Sequence, residues 1–357
     1  MLQYQHPAWR LLATHDIAVI GASAGGVEAL IRLAGDLQQD LPMAVFTVVH
    51  YPEATPSVLP RLLSRAGPLG AKNPRDGEPI EHGRIYVAAP GSHLQVEEER
   101  IKLIRGPKEN HHRPAIDPLF RTAALAYGPR VVGVVLSGAD GDGTAGLQAV
   151  KQCGGVAVVQ DPDEALFARM PENALEYVEV DYCLPLDEIA ALLGRLAGEA
   201  TGKEGAEQGG YPMPEDMEFE QKISELDPTI MNGDERLGVV SSFTCPDCSG
   251  PLYEIREGEL SRYRCRVGHA YGSAEDVLEN NRDKLEDTLY FALNKLQENA
   301  TIAGRLAARA NKGGQDMAAA RFEERERESR QHAETLRRVL LGSQHPGEQI
   351  STPSDLA

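Results

Sequence analysis

Apolar residues in the first half of the chain fall in short β-branched runs separated by stretches of helical spacing. Residues 16–21 (DIAVIG) and 44–49 (AVFTVV) are continuous apolar runs of strand length, and 84–89, 131–136 and 156–160 repeat the type. Between them, residues 27–37, 58–64, 117–127 and 145–153 carry apolar positions at three- and four-residue steps and predict helices. Residues 93–105 alternate instead, which predicts a hairpin turning at 97–100. Apolar runs bounded by glycine and separated by helices predict an α/β domain. Its expected form is a doubly wound, mostly parallel sheet with helices on both faces.

The pattern changes after residue 198. Residues 199–236 hold eleven acidic against three basic residues, with Gly, Pro and Gln between them. Such a stretch reads as a linker, with one short helix around 218–226. From Ser273 the spacing is helical, and Ser273 with Asp276 resembles a capping box. Leu285, Leu289, Ala292, Leu296, Ala303 and Leu306 are expected on one helix face. Lys312-Gly313-Gly314 breaks the helix, and 317–341 restarts it with Phe322, Ala333, Leu336 and Leu340 on one side. The expected organisation is an α/β domain over 1–198, an acidic linker over 199–240, a small cysteine module over 241–272, a helical hairpin over 273–342 and a flexible tail over 343–357. The hairpin stripe reads first as a small bundle that buries itself or self-associates, and second as a docking module.

Charge narrows the classes of partner. Against 36 Lys and Arg stand 54 Asp and Glu, a net charge of −18, so the phosphates of a nucleic acid would repel the chain. A protein or small-molecule partner is expected. The longest apolar runs fall far short of the ~20 residues that cross a bilayer. The opening MLQYQHPAWR lacks the basic start and apolar core of a secretion signal. Five cysteines, three of them crowded at metal spacing, suit a reducing cytoplasm better than a disulfide framework. The other two, Cys153 and Cys183, are expected as small buried apolar residues.

The cysteine module reads Cys245-x2-Cys248, then sixteen residues, then Cys265-x3-His269. Each close pair suits a knuckle, and three thiolates with an imidazole suit tetrahedral zinc. Four protein ligands leave no open position, so the expected zinc is structural and catalysis needs no cofactor.

Gly21-Ala22-Ser23-Ala24-Gly25-Gly26 follows a strand and opens a helix. Three readings fit it: a phosphate cradle at a helix N-terminus, a nucleophile elbow of the form G-x-S-x-G, or a serine cap with packing glycines. The dinucleotide fingerprint is not met and the P-loop lysine is missing. A serine hydroxyl needs a base, and the base needs an orienting acid. His50 directly follows the run 44–49, and Asp142 follows the run 131–136 within Ser137-Gly138-Ala139-Asp140-Gly141-Asp142-Gly143. In a parallel sheet, Ser23, His50 and Asp142 would share the carboxyl edge, where open sheets bind ligands. Taken singly each has a bland reading; together they favour a catalytic triad.

These residues carry a resemblance. Residues 16–195 resemble the catalytic domain of the chemotaxis protein-glutamate methylesterases of CheB type. The matching stretches are IGASAGGVEAL at 20–30, VVHYP at 48–52, YVAAPGSHL at 86–94, HRPAIDPLF at 112–120, VVLSGADGDGTAGL at 134–147 and QDPDEALFARMPENAL at 160–175. The resemblance implies that Ser23 attacks a glutamate methyl ester of a methyl-accepting receptor, that His50 shuttles the proton and that Asp142 orients His50. Deamidation of receptor glutamine is the related reaction. The Ala24 and Ala139 amides would hold the oxyanion, with Gly25, Arg113 and Met170, and His93 in the same motifs, near the pocket. The chain reads SAGG where many members read STGG. It reads SGADGDG where many read TGMGNDG, which puts substrate preference in question and raises Asp140 as a substitute orienting acid. About fifteen residues precede the first strand, so regulation in cis by the family's N-terminal receiver domain is not expected. Peripheral association with receptor arrays is expected, without membrane insertion. Two other readings stand beside this one: a scaffold that keeps the fold, and a serine esterase or amidase of different substrate.

Overall fold

A computed structural model describes residues 14–51, 56–201, 215–231 and 237–342. In chain order its first part runs β1 (Ile17–Ala22), α1 (Gly26–Asp36), β2 (Ala44–Val49), α2 (Leu59–Ala66), β3 (Gly70–Lys72), β4 (Arg84–Val87), the hairpin β5 (His93–Glu97) and β6 (Arg100–Ile104), α3 (Ile116–Tyr127), β7 (Val131–Val135), α4 (Thr144–Gln152), β8 (Val156–Gln160), α5 (Arg169–Tyr177), β9 (Tyr182–Leu184) and α6 (Leu186–Ala197). Seven strands form one sheet in the order β3-β4-β2-β1-β7-β8-β9, and each neighbouring pair is parallel. The chain winds outward from β1 on one side, then restarts at β7 on the other. The switch point therefore lies between β1 and β7, and the crevice of such a sheet opens at the carboxyl ends there.

Every residue of β1 and β2 is buried. Side chains alternate between the two faces, so Ile17 and Val19 join the core under α3 and α4, while Ala18 and Ile20 join the core under α1, α2 and α6. This explains why the strands read as unbroken apolar runs. The sequence pattern does not predict β3, β9, α5 or α6. The two strands are three residues long, too short to show a period, and lie at the sheet's edges. One expectation is corrected here: Cys153 is buried, but Cys183 is exposed on the edge strand β9.

The stretch expected as a linker is built structure where it is described. It forms α7 (Glu215–Ser224) and α8 (Pro228–Met231), rather than one helix around 218–226. Residues 202–214 and 232–236 of that stretch, and the tail 343–357, lie outside the described residues, as does Pro52. Beyond it, β10 (Val239–Thr244), β11 (Pro251–Glu257), β12 (Leu260–Cys265) and β13 (Ala270–Tyr271) make a four-stranded antiparallel sheet. This small sheet is not free-standing. Residues up to Val277 form one compact unit, and the rest of the chain a second.

A buried ionic cluster fastens the small sheet to the α/β domain. Arg264 of β12 donates to Glu109 at 2.8 Å and to Glu220 of α7 at 2.6 Å. Arg121 of α3 donates to Glu109 at 2.9 Å, and Arg262 donates to Glu220 at 2.7 Å. Ser224 of α7 adds a hydroxyl to Glu109 at 2.6 Å. Burial raises the carboxyls of Glu109 and Glu220, but the facing guanidiniums overcome it and hold both well below the usual range. Ile223, Leu237 and Ile255 form a small apolar core beside the cluster.

The second unit holds most of α9 (Ala274–Lys312) and α10 (Asp316–Gly342), with Gly314 at φ 66° in the turn. Ala300, Ala303, Ala307 and Ala310 of α9 are buried, and so are Ala319, Ala333 and Leu340 of α10. Small residues let the two helices pack along this stripe. Leu285 and Leu306 of the expected face are 60 % and 38 % exposed.

Removing one partner from a buried ion pair leaves a desolvated charge alone. Glu109→Gln is therefore expected to lower stability by about 3–5 kcal/mol near pH 7, measured as urea denaturation of the full chain. The unfolded chain takes up protons that Glu109 and Glu220 refuse in the fold. Wild-type stability accordingly declines as pH falls through about 4, and the variant shows a shallower decline.

Candidate active site

Ser23 sits one residue past β1, half-buried, in the turn that opens α1. Gly25 has φ 74°, a conformation open to glycine at little cost, and a Cβ there would fall 2.9 Å from Leu166. The Ser23 amide donates to the Ser137 carbonyl at 2.9 Å, which ties the β1 turn to the loop after β7. His50 follows β2, and Asp142 lies in the loop between β7 and α4. All three thus meet at the switch point.

His50 lies between a hydroxyl and a carboxylate. Its Nδ1 is 3.1 Å from Ser23 Oγ, and its Nε2 is 2.8 Å from Asp142 Oδ2. In the neutral ring with its one hydrogen on Nε2 and donated to Asp142, Nδ1 carries the lone pair that could accept from serine. Asp142 is fully buried yet ionised. Its Oδ1 accepts the Asn110 amide at 2.8 Å and the Asp117 and Gly143 backbone N–H groups at 3.1 and 3.0 Å, while Oδ2 also accepts the Ile116 N–H at 2.6 Å. Burial pushes its pKa up, and the bonds from His50 and the backbone pull it below the ordinary value.

The two helix starts are stitched together here. Asp142, from the loop before α4, caps the first N–H groups of α3. Asp117, in the first turn of α3, in turn accepts the N–H groups of Gly143 and Gly146 at 3.0 and 2.7 Å at the start of α4. Asn110 donates to both carboxylates, to Asp117 also at 2.8 Å. Burial and the neighbouring Asp142 charge raise the Asp117 carboxyl. Helix N-termini favour negative charge, so the start of α3 helps to hold Asp142 ionised.

Asp140 contacts the other ring nitrogen of His50. It stands on the opposite side of His50, with Oδ2 3.0 Å from Nδ1, and the same oxygen is 3.1 Å from His112 Nε2. The His112 ring stacks on His50 with centroids 3.5 Å apart and planes 11° apart. Burial lowers the His50 pKa, but the two carboxylates outweigh it and raise it to about 9.

The remaining pocket expectations divide. Met170 is buried against the site: a Cβ on Gly138 would lie 1.8 Å from its Sδ and 3.0 Å from Ser23 Cβ, so glycine there lets Met170 and Ser23 approach. Ala24 accepts the Ser137 hydroxyl at 2.8 Å through its carbonyl, and Ala139 is exposed at the rim. Arg113 and His93 both bond to the backbone beside the site. Arg113 donates to the Gly106 carbonyl at 2.8 Å. His93 is fully buried, its Nε2 2.8 Å from the Pro107 carbonyl and its Nδ1 accepting the Ala115 N–H at 3.2 Å. Both thereby brace the loop before α3. Asn110 and His112 were missed. The polar run Asn110-His111-His112 is the signal, since Asn110 and His111 adopt φ 49° and 69°, which asparagine tolerates and histidine rarely does.

The small sheet backs this loop. The Asn110 N–H donates to the Ala270 carbonyl at 2.8 Å, and the His111 ring lies 5.2 Å from that of Tyr271. Beside Gly141 a cavity of about 380 Å³ opens, lined by Asn173 and Tyr177 of α5, by Tyr263 and by Ser273.

The donor atoms of Cys245, Cys248, Cys265 and His269 all lie within 4.8 Å of one another. Cys248 and Cys265 sulfurs are 3.6 Å apart, and His269 Nδ1 is 3.7 and 3.5 Å from the sulfurs of Cys245 and Cys265. A tetrahedron with metal–sulfur bonds of about 2.3 Å has edges near 3.8 Å, so the set fits zinc. His50, His112 and Asp140 converge as closely, but at hydrogen-bond distances.

A family model described as CheB methylesterase matches residues 18–193. A protein of Leptospira interrogans, provisionally named a protein-glutamate methylesterase/protein-glutamine glutaminase, is 38% identical over 183 residues, which are 51% of this chain and 95% of that one. A protein of Anaeromyxobacter dehalogenans named protein-glutamate methylesterase/protein-glutamine glutaminase 4 is 38% identical over 194 residues, 53% of this chain and 54% of that one. The crystal structure of the Thermotoga maritima CheB methylesterase catalytic domain is 30% identical, covers 52% of this chain and 100% of that one, and superposes with a TM-score of 0.49.

Removing the Asp142 charge favours the wrong imidazole tautomer. Asp142→Asn is expected to slow fluorophosphonate labelling of Ser23 by about 10³–10⁴-fold. Asn110→Ala shifts Asp142 without removing it, and a loss of up to roughly a hundredfold is expected in the same assay.

Proposed function

The chain belongs to the CheB methylesterase family, and on that premise we propose that it hydrolyses glutamate methyl esters on chemoreceptor-type proteins. The observation that carries this is the continuous path Ser23 Oγ–His50–Asp142, with both ring nitrogens of His50 engaged. Ser23 Oγ attacks the ester carbonyl while His50 Nδ1 takes its proton. The tetrahedral oxyanion is held by the Ala24 and Ala139 amides, neither of which donates a hydrogen bond among the described residues. Collapse breaks the ester bond, and His50 returns the proton to the departing methoxide, releasing methanol. Water, deprotonated by His50, then attacks the acyl-serine, and His50 returns that proton to Ser23 Oγ as the acyl bond breaks and the glutamate carboxylate leaves. A glutamine side chain at the same position would lose ammonia by the same steps.

Methylated chemoreceptor membranes supply the test. Wild type is expected to release methanol, and Ser23→Ala to lose at least about a thousandfold of the rate. If a fluorophosphonate labels wild type while no methanol appears, the substrate is a different ester or amide. If neither occurs, the chain serves as a binding scaffold. No helix among the described residues is long and apolar enough to cross a membrane.

Cys245, Cys248, Cys265 and His269 are proposed to hold one zinc ion, which supplies a structural cross-link between two tight turns. The supporting geometry is the pair of knuckle turns themselves: the Ser249 N–H donates to the Cys245 carbonyl at 2.8 Å and the Gly268 N–H to the Cys265 carbonyl at 3.0 Å. Elemental analysis of purified full chain should give one zinc per chain, and Cys265→Ser should lose it while exposing 239–271 to proteolysis.

A further inference from the structure

We propose that Asp140 is a clamp on the catalytic base: it holds His50 doubly protonated and idle, and its withdrawal from Nδ1 arms Ser23. The proposal rests on the hydrolase reading of the site.

Two atoms compete for one ring nitrogen. Ser23 Oγ at 3.1 Å and Asp140 Oδ2 at 3.0 Å both address His50 Nδ1. A working base needs a lone pair at Nδ1, since Nε2 already gives its hydrogen to Asp142. A lone pair facing a carboxylate oxygen at 3.0 Å is repulsive; an N–H facing it is a charge-assisted hydrogen bond. The arrangement therefore matches an imidazolium with one N–H on each carboxylate. In that form Nδ1 has no room for the serine proton, and Ser23 stays a neutral hydroxyl of low reactivity.

The surroundings hold the clamp shut. His112 Nε2 lies 3.1 Å from the same Asp140 oxygen, and the Asp142 N–H donates to the other at 3.2 Å. The Asn173 amide donates to the Asp140 carbonyl at 3.4 Å. His50 itself faces Asp142 with Asp117 behind it, Asp140 across the ring and the stacked His112, while His111 with Asp247 beyond it stands near Asp140. Two ionised acids thus meet one imidazole, in keeping with a His50 pKa of about 9. Asp140 keeps a side-chain exposure of 27%, so it has solvent to swing into, whereas Asp142 at 0% has none.

The test needs no knowledge of the substrate. Fluorophosphonate labelling of Ser23 in the full chain is followed against pH, with the His50 ring titrated by NMR. Wild-type labelling should rise with a limb near pH 9, leaving about a hundredth of the plateau rate at about pH 7. Asp140→Asn should move both the limb and the NMR titration down by at least about one pH unit and raise labelling near pH 7 about tenfold or more. Asp140→Ser should do the same, with circular dichroism verifying that each variant is folded. A wild-type His50 that titrates near 6.5, or profiles that coincide in wild type and variants, overturns the clamp. If no form labels at any pH, the hydrolase reading fails, and the NMR titration alone decides whether Asp140 holds the proton.

Discussion

The site hangs on how Asp142 is kept charged inside the protein. A carboxylate with no exposure has lost its water, and four N–H donors together with His50 replace it. Those donors come from the start of α3, the start of α4 and the loop at Asn110, so satisfying one acid fixes the meeting of three segments. Asp117 repeats the arrangement in the other direction and locks the two helix ends reciprocally. His50 is then oriented by a group that cannot move without breaking the packing around it. This is the kind of support that holds a reacting geometry to within fractions of an ångström.

The small sheet shares in that support. Its Ala270 carbonyl holds the Asn110 N–H, and Asn110 in turn holds Asp142. One residue away, Glu109 sits in the ionic cluster with Arg121 and Arg264. The segment 109–112 therefore faces Asp142 on one side and the cysteine module on the other. A charge cluster of this type is costly to assemble, since each ion must be stripped of water, and it brings little net stability over apolar packing. What it brings is register: the arginine forks fix where the small sheet lies against α3 and α7.

Much of this was legible in the residues. The apolar runs at 16–21 and 44–49 indicated strands of a sheet with helices on both faces, and the structure covers β1 and β2 with helices on both sides. Ser23, His50 and Asp142 were readable as strand-end residues because a parallel sheet places every such end on one edge. The cysteine spacing pointed to paired knuckles because a tight turn needs few residues between ligands. The edge strands β3 and β9 were not legible, since three residues carry no period. The linker reading of 215–231 failed because Glu220, Gln221 and Ser224 look like solvated polar residues, and their partners lie far off in sequence: Arg262 and Arg264 for Glu220, Arg121 for Gln221 and Glu109 for Ser224.

The sequence by itself determined the chemistry on offer: a serine in a glycine turn, a histidine and acids at strand ends, and four metal-type ligands in two pairs. Periodicity is local, so it carries strands, helices and turns within one stretch of chain. Which acid orients His50 was a different kind of question. Asp140 and Asp142 are two residues apart and chemically identical; periodicity is silent on them, and only the register of the resemblance implies Asp142. The tertiary structure separates them by what stands around each, four N–H donors from remote segments for Asp142 and a second histidine with partial solvent for Asp140. Hydrogen bonding and burial at a site made from distant residues distinguish the two acids, and those exist only once the chain has folded.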